Sequence, residues 1–270
     1  MPEIIQSLWI GRPLSLIEQL AITSFLQNGH EFHLYCYADV ANIPAGAKVL
    51  DGSTILPASE IFRYRSGSGR GSVSAFSNLF RYKLLLENGG WWADTDVVCL
   101  LPFDFAEPVV IASEHTPSGT RAATAAIRLP RGHAIAQRCY DAARRKNPRT
   151  VKWGETGPQL LDRIVSEGGF RASMKGPQDF CPVPYWEWES LLQPQGDWPP
   201  AMSGAHAIHL WHELWRRKGV ELRPAANRPR ALRLWRRWQQ WAGFKSKPSV
   251  DDETTPFAQL LRRYGLRKPL

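Results

Sequence analysis

Apolar and polar positions along this chain follow two periods, one near two residues and one near 3.6. Residues 4–10 are apolar and rich in β-branched side chains and stop at Gly11, which predicts a buried first strand. Over 14–26 the apolar positions, Leu16, Leu20 and Phe25 among them, fall at helical spacing, and Asn28-Gly29 supplies a stop. Residues 31–37 read as a second strand and 48–50 as a short third. Strand, helix and strand in alternation predict an α/β sheet.

The next periodic segment, 74–87, predicts a helix with Asn78, Arg81 and Leu85 on one face and Tyr82 adjacent. Gly89 or Gly90 ends it. Residues 91–93 then read as a short strand that delivers Asp94 and Asp96 on one face, with Thr95 opposite. Two carboxylates so close repel unless a positive charge sits between them. Hard oxygen ligands of this kind suit Mn²⁺ or Mg²⁺.

Further strands are expected at 108–112, 123–129 and 205–210, and helices at 133–145, 159–165 and 257–264. The glycines of 66–72 lack G-x-G-x-x-G spacing and follow no strand, which excludes a dinucleotide fingerprint. With Arg63, Arg65 and Arg70 nearby, that stretch reads as a solvated loop or as a lid over a phosphate.

Composition adjusts this picture in three places. Apolar residues make up 43% of the 270, enough for a substantial core. The net charge of +9 is local: residues 216–270 hold 15 Lys and Arg against four acids, and the rest of the chain is near −2. That excludes a general nucleic-acid binder, whose basic face belongs to the binding fold. Within 229–242, Ala231, Leu234, Trp235, Trp238 and Trp241 form one helical stripe and Arg233, Arg236 and Arg237 lie off it, the pattern of a helix on an anionic membrane surface or of a helix packed on the body. Cys36, Cys99, Cys139 and Cys181 form no CxxC pair and read as buried reduced thiols. No basic-then-apolar leader and no apolar run of spanning length is present, so the expected location is cytoplasmic, with peripheral attachment at the inner face of the plasma membrane through the tail.

The block from Phe76 to Asp96, with Asn78, Arg81, Gly89-Gly90-Trp91-Trp92 and Asp94-Thr95-Asp96, resembles the central motif of the D-x-D glycosyltransferases with a sugar-binding region. That group includes yeast-type α-mannosyltransferases, lactosylceramide α-1,4-galactosyltransferase and bacterial capsule or lipopolysaccharide transferases. Asn78 stands where the family usually has Asp, and Trp92 where it often has Tyr. Ile5 to Gly11 is similar to the family's opening strand, Thr156-Gly157-Pro158 to its T-G-P motif, and His209-Leu210-Trp211 with Trp215 to its H-x-W…W motif.

The resemblance implies an α/β fold of GT-A type, a Rossmann-like sandwich over 1–225, followed by a basic helical extension over 226–270. It implies retaining hexosyl transfer from a nucleoside-diphosphate sugar to a glycan or lipid-linked acceptor. Catalytic roles would fall to Asp94, Asp96 and Arg81, and metal ligation to Asp96, Asp94 and His209. Trp9, Asn78, Arg81, Trp92, Asp94, Trp211 and Trp215 would bind the donor. His206 and His212 compete with His209, and Arg81 has the plainer alternative of pairing with Asp94 or Asp96. No nucleophile stands out; Glu155, Asp162 and Glu213 are candidates for acceptor contact. Large clostridial glucosylating toxins share a related pattern, which keeps a protein side chain open as acceptor. A catalytically silent sugar-binding protein is the other alternative.

Overall fold

The computed structural model describes residues 3–11, 13–194, 202–220 and 253–266. A six-stranded sheet forms the centre. Strands β1 (Ile4–Trp9), β2 (Glu31–Cys36), β3 (Lys48–Asp51) and β4 (Gly90–Ala93) run parallel. Beyond β4 lie β7 (Gly119–Leu129), antiparallel to it, and then β6 (Val110–Thr116), so the order is β3-β2-β1-β4-β7-β6. Strand β5 (Val97–Cys99) pairs apart with β8 (Ala207–His209).

Helices cover both faces, as parallel strands require. Helix α1 (Leu16–Gln27) packs with Ile5, Phe32, Leu34 and Trp91 on one face. Its start is fixed by a capping box, Ser15 with Glu18. On the other face α2 (Ser74–Glu87), α3 (Ala134–Arg144) and α4 (Pro158–Glu167) pack with Leu8, Trp92 and Ile127. Alternation along β4 therefore sends Trp91 and Trp92 to opposite layers. Trp91 joins Phe103, Phe105 and Phe180, whereas Trp92 faces Phe80 and α2.

Two expectations need correction. The segment 94–96 is a turn and not a continuation of the strand: Asp94 O accepts from Val97 N at 3.0 Å, which reverses the chain between β4 and β5. The carboxylates share a site because the turn gathers them. The hairpin β6–β7 is also longer than the apolar pattern indicates, because its outer residues, 113–122, include polar and charged ones.

The late chain adds α5 (Pro177–Phe180), α6 (His212–Arg217) and α7 (Pro256–Arg263). Helix α7 belongs to the body: Phe257, Leu260 and Leu261 join the cluster of Ile17, Leu20 and Trp215. Arg263 Nη2 donates to Leu100 O at 2.9 Å, and the Tyr264 hydroxyl donates to Cys99 O. The helix expected at 257–264 thus packs its apolar face on residues of the unit expected over 1–225. The Trp and Arg stripe of 229–242 lies outside the described residues. No helix among the described residues is long and apolar enough to cross a membrane.

Gly89 shows why the double glycine is needed. Its φ is +67°, and a Cβ there would lie 2.4 Å from Arg131 N. Gly89→Ala is therefore expected to cost about 2 kcal/mol through left-handed strain and backbone overlap. An unchanged urea midpoint in that variant would contradict the fit.

Candidate functional site

The chain order of the sheet reverses between β1 and β4: β2 flanks β1 on one side and β4 on the other. In open α/β sheets the crevice at the carboxyl ends of such strands holds ligands. A cleft of about 550 Å³ opens there, lined by Trp9 at the end of β1, by Asp94 and Asp96 after β4, and by Asn78 and Arg81 of α2.

Asp94 is held by three neighbours. Arg81 Nη2 and the Trp92 indole both donate to its Oδ1, at 2.8 and 2.9 Å. Its backbone N–H donates to Ala125 O at 2.8 Å. Burial pushes the Asp94 carboxyl above its usual range; Arg81 opposes that and Asp96 adds to it. Arg81 itself is buried, donates to Thr124 O at 2.5 Å and lies 4.7 Å over the Trp92 ring. The plainer reading of Arg81, a pair with Asp94, is thus realised, and the side chain also lines the cleft.

Asp96 is gripped from the late chain. His212 N donates to Oδ2 at 2.9 Å, and His209 Nε2 lies 3.3 Å from Oδ1. Burial opposes ionisation, but the His209 charge and hydrogen bond outweigh it and bring the Asp96 carboxyl down to about 2. Burial likewise disfavours the charged imidazole, yet Asp96 holds His209 well above its usual range. Asp94, Asp96 and His209 each offer a ligating atom, and these atoms lie within 4.8 Å of one another.

Strand β8 aims His209 because it pairs antiparallel with β5, with Val97 opposite His209. The chain then turns sharply. Trp211 has φ +59°, a left-handed conformation that a bulky residue adopts only under tertiary constraint. The turn sets the Trp211 ring 3.9 Å from that of His209 and presents His212 N to Asp96. Trp211 Nε1 donates to Val183 O at 2.9 Å, which anchors the ring.

Other predicted residues divide between cleft and body. Trp9, Asn78, Trp92 and Trp211 line the cleft. Asn78 Nδ2 donates to Thr156 Oγ1 at 3.3 Å and the Tyr82 hydroxyl to Thr156 O at 3.0 Å, so Thr156-Gly157-Pro158 docks on α2. A Cβ on Gly157 would come 2.9 Å from the Asn78 amide, which explains the glycine there. Trp215 is fully buried between Trp188 and Phe257 and does not line the cleft. His206 stacks on Phe105 and faces Asp179. Glu155 pairs with Lys146 away from the cleft, and Asp162 accepts from Ala122 N at the start of β7. Glu213 does line the cleft, paired with Arg216 and Arg217. Arg63, Arg65 and Arg70 are exposed and are not cleft residues, whereas Ser68 and Ser72 of the glycine-rich loop are.

Three features of the cleft are new to the structure. Glu18 is fully buried in α1 and forms an ion pair with His212 Nδ1 at 2.6 Å; burial lowers that imidazole's pKa, and Glu18 more than restores it. Its S-x-x-E spacing was a legible capping box, but the histidine partner is 194 residues away. On the wall, buried Glu114 pairs with the partly exposed Arg121. Arg217 of α6 lies 4.2 Å over the Trp153 ring at the rim. The four cysteines are free and buried.

No family model matches the chain. Among solved structures it is similar to the PaToxG glycosyltransferase, at 15% identity and a TM-score of 0.46, over 62% of this chain and 69% of that one. It is also similar to the glycosyltransferase GlyE of Streptococcus pneumoniae TIGR4, at 12% identity and a TM-score of 0.37, over 66% of this chain. The match spans 46% of the GlyE chain.

Proposed function

We propose that the protein is a metal-dependent, retaining glycosyltransferase that moves a hexose from a nucleoside-diphosphate sugar of the uridine type to a glycan or lipid-linked glycan, in polysaccharide or lipopolysaccharide synthesis. The observation that carries this reading is the convergence of Asp94, Asp96 and His209 within 4.8 Å at the sheet's switch-point cleft.

Those three residues would hold Mn²⁺ or Mg²⁺. The donor set fits: two carboxylates suit either ion, and one imidazole tilts the choice toward Mn²⁺. Such an ion supplies charge that stabilises a departing diphosphate. The chain's own groups do the positioning. Arg81 and Trp92 occupy Asp94 Oδ1, which leaves Oδ2 for the ligand. His212 N occupies Asp96 Oδ2, which leaves Oδ1 beside His209. Trp9 and Trp211 offer ring faces for a base or sugar, and Asn78 offers an amide beside them. Trp215 would support the Trp211 turn from the core and not touch the donor.

Incubation with UDP-glucose, UDP-galactose or GDP-mannose and Mn²⁺ is expected to release free hexose and nucleoside diphosphate, and a chelator is expected to stop it. No release from any of them, together with no calorimetric binding of UDP or GDP, would overturn the reading.

A pH dependence follows. Without a cation, His209 keeps its proton above the usual imidazole range. A metal ligand must be neutral, so Mn²⁺ binding displaces that proton. The apparent Mn²⁺ affinity is therefore expected to rise between pH 6 and 8, by up to about tenfold per unit, with proton release measurable in buffers of different ionisation enthalpy. A flat profile would argue against His209 as a ligand.

The basic, Trp-striped segment 229–242 supports placing the protein at the inner face of a cytoplasmic membrane. Flotation with vesicles of 30% phosphatidylglycerol tests it. Binding by the full chain should disappear when Trp235, Trp238 and Trp241 become alanine; persistence would refute attachment through that stripe.

A further inference from the structure

A second charged pair faces the same cleft and takes no part in the acidic turn. Glu114 of β6 and Arg121 of β7 are direct cross-strand partners, and both line the cleft. Glu114 is 4% exposed. Arg121 Nε donates to Glu114 Oε1 at 2.6 Å, and Nη2 lies 2.6 Å from that same oxygen. Among the described residues no hydrogen bond reaches Oε2. An arginine–carboxylate pair built as a brace commonly spreads its two prongs over both oxygens. Here both prongs close on one. That leaves Oε2 open to a hydroxyl or amide that enters the cleft.

Strand β7 links this pair to the acidic cluster. Thr124 O accepts from Arg81 and Ala125 O from Asp94 N. Arg121 precedes Ala125 by four residues, and β7 runs antiparallel to β4. The pair therefore stands beyond the carboxyl end of β4, past the register shift that β6 and β7 make between Ile111 and Ser113. A ligand whose diphosphate sits at Asp94 and Asp96 points its far end into that space. Vicinal hydroxyls need an acceptor and a donor side by side, which a carboxylate with a free oxygen and a partly exposed guanidinium supply.

We propose that Glu114 and Arg121 form the sugar-recognising end of the cleft, with Glu114 Oε2 accepting from hydroxyls of the transferred hexose and Arg121 donating to them. This rests on the reading of the cleft as a nucleotide-sugar site. It separates two tasks: the acidic cluster holds the diphosphate, and the β6–β7 pair selects the sugar.

Calorimetry in saturating Mn²⁺ tests it, with UDP, GDP, UDP-glucose, UDP-galactose, UDP-N-acetylglucosamine and GDP-mannose as probes. Glu114→Gln and Arg121→Lys are compared with the unaltered protein. Arg121 is a third exposed, so its lysine variant preserves the fold if the glutamine variant does not. Each variant is expected to bind the preferred sugar nucleotide at least tenfold more weakly while binding the parent nucleoside diphosphate within twofold of the unaltered protein. Unchanged affinity for the sugar nucleotide overturns the proposal and leaves a cross-strand brace. An equal loss for nucleoside diphosphate and sugar nucleotide also overturns it, because the pair would then act on the diphosphate or on the fold. Failure of the unaltered protein to bind any probe sinks the nucleotide-sugar reading itself, a result distinct from the other two.

Discussion

Asp96→Asn is expected to lower sugar release from a nucleotide-sugar by about a thousandfold or more, roughly 4 kcal/mol in barrier. Asparagine keeps the shape of the side chain and an oxygen for His212 N, which donates to Asp96 Oδ2 at 2.9 Å. It removes the charge that would hold the cation and that keeps His209 protonated. The loss should therefore appear in cation affinity as well as in turnover. Folding should suffer by only about 1–2 kcal/mol, the scale of a weakened buried hydrogen bond. Rates at saturating Mn²⁺, a Mn²⁺ titration and a thermal melt separate these effects. Activity within tenfold of the unaltered protein would remove Asp96 from the cation site.

Arg81→Met is expected to act first on stability. The guanidinium has three partners: Asp94 Oδ1, Thr124 O and Ser77 Oγ. Its side chain is 4% exposed and that of Asp94 23%. Methionine fills the volume but leaves the Asp94 carboxylate without its counter-charge, at a cost of about 3 kcal/mol. The double variant Arg81→Met with Asp94→Asn should be more stable than Arg81→Met alone, because a neutral amide no longer needs the charge. Lysine should not rescue Arg81, since one ammonium cannot reach three partners in a planar fork. Urea unfolding measures all of these. A stability loss under about 1 kcal/mol in Arg81→Met, small beside the usual cost of breaking a buried pair, would show that the pair contributes little.

Much of the frame was legible from periodicity. The helix expected over 74–87 is Ser74–Glu87, and the strand expected over 31–37 is Glu31–Cys36. These segments are decided by short-range pattern: apolar spacing within the segment and glycine or asparagine at its end. The site was legible in part for the same reason. Arg81 and Asp94 are 13 residues apart on adjacent elements, α2 and β4, so helical phase and chain order place them together.

The misreadings share a cause. The acidic pair was assigned to a strand because alternation and a tight turn put the same residues on one side; only the Val97 N to Asp94 O bond separates the two cases. Trp215 carries the same motif context as Trp211, yet one turn of α6 sends it into the core against Trp188 and Phe257. Glu18 and Glu114 were not singled out, because what makes each a cleft residue is a partner on another element.

The sequence by itself determined the α/β alternation, the acidic pair with its arginine, and the motif context that suggests sugar transfer. These rest on residues close along the chain, where covalent geometry leaves few arrangements. Only the tertiary structure decided that His209 and not His206 meets Asp96, that Glu18 pairs with His212, that Glu114 and Arg121 share the cleft wall, and that the last helix belongs to the core. Each depends on contacts between distant segments, and those are set by burying apolar faces together, which the local pattern constrains but does not choose.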